Sequence, residues 1–230
     1  MAYYCATLEC AEHALPDKLQ CAQCLWGKFK VVLDLDKTLI FTNLDTSRKF
    51  NITHDFEVDG LLCYKRPNLY LFLAHVFANF EVCIWTAGSR EYADYILKEI
   101  LHPNQKPLQI LTGNDTGRKF AGYYNDLAQT KPLWKIRADL SRIVIVDDKT
   151  SSFACNMSNG IHISAFQHPD IQHDDKALLD VLDLLKVLAH EKDVRPLARP
   201  HFDCTSGPFR DSLFQIAAMP FFTQFLFSNS

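Results

Sequence analysis

The apolar run from Phe29 to Ile40 constrains the fold of this chain most, because it carries two acids, Asp34 and Asp36, and a hydroxyl, Thr38. Successive side chains of a strand point to opposite faces, so a strand that continued through this stretch would place both acids on one side. Two carboxylates that close repel each other unless a cation neutralises them or one keeps its proton. In phosphoryl transfer one acid can attack as nucleophile, the other can carry the proton, and the hydroxyl can bind phosphate. The stretch therefore indicates a divalent-metal phosphoryl-transfer site, with a solvated acidic turn as the alternative.

The composition is that of a globular protein with a substantial core, since 48% of the 230 residues are hydrophobic and 22% are charged. We expect one main domain with modest additions. The formal net charge is -3 and the sequence has no basic stripe, so no nucleic-acid partner is expected. The sequence has no run of about eighteen apolar residues, which argues against a membrane-spanning helix.

The cysteines and the first residues indicate the compartment. The chain contains eight cysteines, and one of them, Cys83, lies in an apolar strand-like run where a free thiol packs as a small hydrophobic group. The first residues lack the basic start and apolar core of a signal peptide. We therefore expect no signal peptide and a reducing compartment, either the cytoplasm or the nucleus.

A cysteine-rich extension, residues 1–27, precedes the main domain. Cys10 and His13, followed by Cys21 and Cys24, supply the ligand types of a tetrahedral zinc site. Helical spacing would also place each pair on one face as an ordinary packing surface. The loop between the pairs is shorter than in zinc fingers, which favours packing over zinc.

Strand-like and helix-like segments alternate along residues 28–195, which predicts an α/β domain with a Rossmann-like parallel sheet and helices on both faces. A small antiparallel ribbon is expected after the first strand and after the polar turn at 42–47. The predicted ribbon runs are 50–54, 56–58 and 61–64, the later strands are 80–86, 109–112, 143–146 and 160–163, and the helices are 69–77, 90–101 and 174–190.

Polar side chains follow several of the predicted strands. Thr86 ends the strand at 80–86 and leads through Ala87 into a small-residue turn and a helix start, where exposed amide groups attract anions. Asp147 and Asp148 follow the strand at 143–146. Because sites in parallel sheets form outside the carboxyl ends of the strands, we expect these residues to join Asp34 in one site.

These motifs occur in an order that resembles the haloacid-dehalogenase superfamily of phosphatases. The motifs, in sequence order, are Asp34-x-Asp36-x-Thr38, Trp85-Thr86-Ala87-Gly88, Lys131 and Val146-Asp147-Asp148. The chain is most similar to the branch of the small carboxy-terminal-domain phosphatases and their NLI-interacting-factor-like relatives, as the stretches Tyr64-Lys65-Arg66-Pro67 and Tyr92-Ala93-Asp94 also indicate. The resemblance covers roughly Lys28 to Leu188.

The resemblance implies a role for each matched residue. Asp34 would be the nucleophile that forms an aspartyl-phosphate, and Asp36 would protonate the leaving group and then activate water. Phosphate would be held by Thr38, Thr86, Ala87, Lys131 and, as a weaker assignment, Arg118. Mg²⁺ would be held by Asp34, Asp147, Asp148 and the backbone carbonyl of Asp36, an all-oxygen set of the kind that this ion prefers.

The chain departs from the family pattern in two places. Asp148 occupies a position where the family often has Asn. The additional negative charge of Asp148 makes the site more dependent on a bound metal ion. Lys131 is followed by Pro132 where relatives commonly have Asp-Leu, which weakens the assignment of the lysine.

The segments between the motifs are too short for a large cap domain, so we expect an open site. Open sites suit a phosphorylated protein side chain, and the sequence leaves phosphoserine, phosphothreonine and phosphotyrosine open. Some uncapped relatives are bacterial effectors that act on phosphotyrosine, so delivery of this chain into a host cell is one interpretation. The alternatives in function are a catalytically silent binding module and a small-molecule phosphatase.

An apolar tail, residues 196–230, follows the predicted domain. Packing of this tail on the core is the favoured interpretation. The alternative is a peripheral contact with a membrane or a protein partner, although the tail contains no lysine to attract anionic lipid.

Overall fold

The computed structural model of the protein describes residues 28–120 and 127–198, without the side chains of residues 118–120, 127 and 128. The strands are β1 (Lys30–Leu33), β2 (Ile40–Asn43), β3 (Phe56–Val58), β4 (Leu61–Lys65), β5 (Glu81–Trp85), β6 (Gln109–Leu111), β7 (Gly117–Phe120), β8 (Leu127–Thr130), β9 (Ile143–Asp147) and β10 (Gly160–His162). The α-helices are α1 (Leu69–Asn79), α2 (Arg90–Ile100) and α3 (Ala177–Leu188).

Five strands form a parallel sheet in the order β10-β9-β1-β5-β6. The first strand therefore lies at the centre, with Leu33 aligned with Ile84 of β5 on one side and with Val146 of β9 on the other. The α/β fold with a parallel sheet is confirmed. Because all five strands run the same way, their carboxyl ends meet at one edge of the sheet.

Helical segments cover the two faces of this sheet unequally. One face carries strand residues such as Val31 and Val144 and packs against the buried sides of α1, α2 and α3. The opposite face carries Val32 and Ile145 and is covered by residues of short 3₁₀ segments, Leu133–Ile136 and Thr150–Phe153. The alternation along each strand is what a strand buried on both faces requires.

The ribbon after β1 differs from the prediction in its first strand. The three-stranded antiparallel sheet has the order β2-β4-β3, and β2 (Ile40–Asn43) includes two of the residues predicted as a polar turn. The expected strand at 50–54 is wrong, since those residues lie in a loop. Thr42 and Asn43 are polar yet buried, because their side chains bond to Tyr92 and to the backbone of Arg48.

The chain turns tightly just after the second acid, Asp36. β1 ends at Leu33, and Lys37 adopts a left-handed conformation with φ 63°. The Leu39 and Ile40 amides both donate to the Leu35 carbonyl, at 2.8 and 3.1 Å. Because Val31, Leu33 and Leu35 all pack in the same core, the side-chain alternation of β1 continues past its last residue, which agrees with Asp34 and Asp36 lying together on the other side.

Two predicted features lie mostly outside the described residues. The zinc ligands Cys10, His13, Cys21 and Cys24 fall in residues 1–27. Of the apolar tail, only residues 196–198 are described, and Ala198 packs into the main core. None of the helices within the described ranges is long and apolar enough to cross a bilayer.

Candidate active site

The candidate site lies at the carboxyl edge of the three adjacent strands β9, β1 and β5. Asp34 directly follows β1, and its amide donates to the Val146 carbonyl of β9 at 3.1 Å. Asp147 is the last residue of β9. Thr86 directly follows β5, and its amide donates to the Leu111 carbonyl of β6 at 3.1 Å. Ladder bonds thus fix the backbones of these three residues at one edge of the sheet.

Lys131 bridges two of the acids. Its ammonium nitrogen lies 2.5 Å from Asp34 Oδ1 and 2.6 Å from Asp147 Oδ2, and all three side chains are buried. The Lys131 amide donates to the Ser152 carbonyl at 2.6 Å, which anchors the residue just beyond β8. Nothing near Lys131 in the sequence singles it out, yet the fold places it between the expected nucleophile and an expected metal ligand.

Burial and mutual repulsion shift the protonation of these groups. Burial raises the pKa of Asp34 to about 7, with a further rise from the Asp147 charge, although Lys131 opposes both effects. Burial also raises the pKa of Asp148, again with help from Asp147. Burial alone would lower the pKa of Lys131, but the charges of Asp34 and Asp147 outweigh it and hold this pKa above its usual value. Burial and the repulsion between the acids thus favour the protonated forms of Asp34 and Asp148, whereas the pKa of Lys131 stays raised.

Three of the acids are placed to share a cation. Asp34, Asp147 and Asp148 each offer one carboxylate oxygen, and these atoms lie within 4.8 Å of one another. Hard oxygen ligands of this kind suit Mg²⁺, which keeps several waters and takes few carboxylates. The donor set therefore fits the expected ion. The side chain of Asp36 is not in this cluster, and the expected role of its backbone carbonyl stays a prediction.

The expected phosphate-binding residues surround the same edge. The Thr38 hydroxyl accepts a hydrogen bond from the Asp148 amide at 3.2 Å, which ties the loop after β1 to the loop after β9. The Thr86 hydroxyl accepts from the Gly88 amide at 3.0 Å. Ala87, between them, is exposed. Arg118 lies in the strand β7, but its side chain is outside the described residues.

Asp36 is held by Tyr92, a residue to which the sequence motifs assign no role in the site. The Tyr92 hydroxyl donates to Asp36 Oδ1 at 2.5 Å and lies 2.7 Å from the Thr42 hydroxyl. Burial is the main cause that raises the pKa of Asp36, while the Tyr92 hydrogen bond opposes it. The stretch Tyr92-Ala93-Asp94 indicated a family resemblance, but the sequence gives no signal that the Tyr92 hydroxyl reaches Asp36.

Arg66 is a second residue whose role the sequence did not reveal. Its buried guanidinium forms an ion pair with Asp175 at 2.8 Å and donates to the Thr38 carbonyl at 3.1 Å and to Ser164 Oγ at 3.0 Å. Asp175 lies just before α3. Arg66 therefore ties the loop that carries Asp36 and Thr38 to the segment that precedes α3. A basic residue before a proline indicated a family resemblance, but it did not identify these partners.

Comparison with known proteins decides the family. The family model described as NLI interacting factor-like phosphatase matches residues 29–195, which is most of the chain. The chain belongs to the NLI interacting factor-like phosphatase family. The resemblance to the small carboxy-terminal-domain phosphatase branch of the haloacid-dehalogenase superfamily is thereby confirmed.

Relatives of this family are similar over most of this chain. A CTD small phosphatase-like protein 2 of Dictyostelium discoideum is 30% identical over 76% of this chain, which spans only 30% of that protein's length. A CTD phosphatase-like protein of Invertebrate iridescent virus 3 is 31% identical over 64% of this chain and 90% of its own length. Among solved structures, the RNA polymerase II CTD phosphatase Fcp1 of fission yeast is 21% identical, with a TM-score of 0.46, over 70% of this chain and 52% of that one.

Proposed function

We propose that this NLI interacting factor-like domain is a magnesium-dependent phosphatase that removes phosphate from phosphorylated side chains of proteins. The observation that carries the proposal is the buried bridge from Lys131 to Asp34 and Asp147, which joins a lysine and a metal-ligand acid to the carboxylate that follows the central strand. A structural ion pair needs one acid for one base, whereas this site gathers four acids, Asp34, Asp36, Asp147 and Asp148, around one buried lysine.

Asp34 is the proposed nucleophile. Its carboxylate oxygen bonds to phosphorus as the bond between phosphorus and the leaving oxygen breaks, and the proton of Asp36 passes to that oxygen. Asp36, now a carboxylate, next takes a proton from water, and the resulting hydroxide attacks the phosphorus. The bond to Asp34 breaks, inorganic phosphate leaves, and both acids return to their first states. A covalent intermediate divides one difficult displacement into two easier ones.

The phosphate oxygens are bound by residues from three loops. Lys131 places its ammonium beside Asp34, where it offsets the charge that approaches with the phosphate. The hydroxyls of Thr38 and Thr86, together with the turn at Ala87, supply hydrogen bonds from the ends of β1 and β5. Arg118 stays a candidate for a further contact.

Asp34, Asp147 and Asp148 are the residues that would hold Mg²⁺, because their oxygens converge and no soft ligand lies among them. When bound, the ion supplies positive charge that offsets the repulsion between these carboxylates and the incoming phosphate. The pKa values of Asp34 and Asp148, which are raised mainly by burial and further by the Asp147 charge, support this role.

A protein substrate is supported by the shape of the site. Between β1 and β5, the described residues form only the small sheet β2-β4-β3 and the helix α1, so no large cap arises from that segment. Asp36 and Asp148 are partly exposed, and Ala87 is exposed. A phosphorylated side chain on a protein can enter such an edge, whereas small metabolites are usually enclosed. We propose that residues 28–195 form this catalytic domain.

The test is phosphate release from peptides that contain phosphoserine, phosphothreonine or phosphotyrosine, with Mg²⁺ or with a chelator. We expect metal-dependent release by the wild-type chain and none by Asp34→Asn, and the preferred peptide identifies the substrate class. Equal release by the two proteins on every peptide would refute the proposal and favour a binding module. Release from a small metabolite but from no peptide would refute only the protein substrate.

A further inference from the structure

The described residues contain a chain of hydroxyl groups that ends on Asp36. The Tyr92 phenol donates to Asp36 Oδ1 at 2.5 Å. The Thr42 hydroxyl lies 2.7 Å from the phenol oxygen. Because the phenol has one hydrogen and it is given to Asp36, the phenol oxygen can only accept in its contact with Thr42. The Thr42 hydroxyl also helps to lower the pKa of Asp36 through a hydrogen bond, which opposes the effect of burial.

The fold prepares the position of Tyr92 in two ways. Ser89 caps α2, and its side-chain oxygen accepts from the Tyr92 amide at 3.2 Å, which sets the first turn of the helix. The ring lies against Gly88, where an added Cβ would come within 2.8 Å of Tyr92 Cδ1. The glycine that follows Thr86 and Ala87 therefore leaves the room that this ring needs.

Thr42 is equally fixed. It lies in β2, is buried, and is aligned with Cys63 of β4, whose sulfur lies 3.4 Å from its hydroxyl. The hydrogen bond between Thr42 and Tyr92 thus links the small antiparallel sheet to the helix α2 next to Asp36. Neither element contributes a residue to the reaction proposed above, so this contact needs another explanation.

We propose that Tyr92 is a positioning residue that orients Asp36 and reserves its second oxygen, Oδ2, for proton transfer; this inference rests on the phosphatase function proposed above. A carboxylic acid has one carbonyl oxygen and one hydroxyl oxygen. Since Tyr92 donates to Oδ1, the other oxygen, Oδ2, is the one left to carry the proton that is transferred. The leaving oxygen receives this proton in the first step, and Oδ2 takes a proton from water in the second.

This role has a consequence that depends on the leaving group. A serine alkoxide is a poor leaving group and needs the proton of Asp36, whereas p-nitrophenolate leaves readily without it. The value of kcat/KM covers only the steps up to departure of the leaving group. A misplaced Asp36 should therefore lower kcat/KM for a phosphoserine peptide far more than for p-nitrophenyl phosphate.

The experiment compares these two substrates for the full chain in Mg²⁺. We expect Tyr92→Phe, which keeps the ring, to lower kcat/KM about tenfold or more on the peptide and less than about threefold on p-nitrophenyl phosphate. Thr42→Val should also lower kcat/KM more on the peptide than on p-nitrophenyl phosphate, but by a smaller factor than Tyr92→Phe. Tyr95→Phe is the matched control, because Tyr95 is an exposed tyrosine of the same helix, and its values should equal those of wild type.

Equal losses on the two substrates, or no loss on the peptide, would overturn the positioning role while the wild-type activity still supports the phosphatase. An inactive wild type on both substrates would remove both proposals. Unchanged melting temperatures of the variants establish that any selective loss is not caused by unfolding.

Discussion

Two buried clusters of opposite charges lie within the described part of the domain, and they are built differently. Around Arg66 the charges balance, since one guanidinium faces Asp175 and its remaining hydrogens go to carbonyls and to Ser164. Around Lys131 they do not balance, since one ammonium faces two buried acids with two more acids nearby. A buried charge that only supports the fold is satisfied by its partners. A surplus of buried acids indicates a site that binds a cation.

The largest expected effect is on catalysis by the unbalanced cluster. Asp34→Asn removes the proposed nucleophile but keeps the shape of the side chain, so we expect kcat to fall by at least about 1,000-fold. The fold should be no less stable, because burial already disfavours the charged form of Asp34. Steady-state phosphate release and thermal unfolding measure the two effects. Asp183→Asn, an exposed acid of α3, is the control that should keep full activity.

A substitution in the balanced cluster around Arg66 should instead reduce the stability of the fold. Arg66→Met leaves Asp175 buried without its partner, and we expect the free energy of unfolding to fall by about 3–5 kcal/mol. The double variant Arg66→Met with Asp175→Leu removes both charges and should recover most of that loss. Urea denaturation measures both variants. A double variant as unstable as the single one would show that Arg66 acts through its carbonyl contacts rather than through the ion pair.

The pH dependence of stability tests the unbalanced cluster around Asp34 and Lys131. In metal-free protein the pKa of Asp34 is raised to about 7, against about 3.9 in the unfolded chain. The folded state then binds more protons than the unfolded state, so this group lowers stability as the pH rises from about 4 to 7. The stability of Asp34→Asn relative to wild type should therefore increase over that range. A difference that stays constant with pH would contradict the raised pKa.

The smallest expected effect is the response to the metal. Mg²⁺ at about ten times its Kd should raise the melting temperature by about 3–6 °C, because it binds only the folded site. Asp148→Asn keeps an oxygen ligand but removes one charge, so its shift should be smaller than that of wild type. Differential scanning fluorimetry with Mg²⁺ or chelator measures it. An equal shift in the two proteins would exclude Asp148 from the metal site.

The sequence predicted the parallel sheet and the location of the acids because both depend on local patterns. Apolar runs that end in Asp34, Thr86 and Asp147 mark strands and their carboxyl ends. Periodicity located the helices, with α2 observed at Arg90–Ile100 against the predicted 90–101.

Contacts between distant segments could not be predicted in this way. Thr42 was predicted to lie in a polar turn. The sequence does not reveal that the Tyr92 hydroxyl forms a hydrogen bond with the buried Thr42 hydroxyl. Arg66 and Asp175 are far apart along the chain, and neither has a local feature that marks it as a buried pair. The reversal at Lys37 depends on a left-handed residue that is not glycine, which the strand pattern did not indicate.

The central place of β1 also determines when activity can arise during synthesis of the protein. Leu33 aligns with Val146 of β9, so the strand beside the proposed nucleophile loop is synthesised only after more than a hundred further residues. Parallel pairings of such long sequence separation form slowly, since the intervening chain must close first. A nascent chain that ends before β9 carries Asp34 without Asp147, so it lacks the complete candidate site.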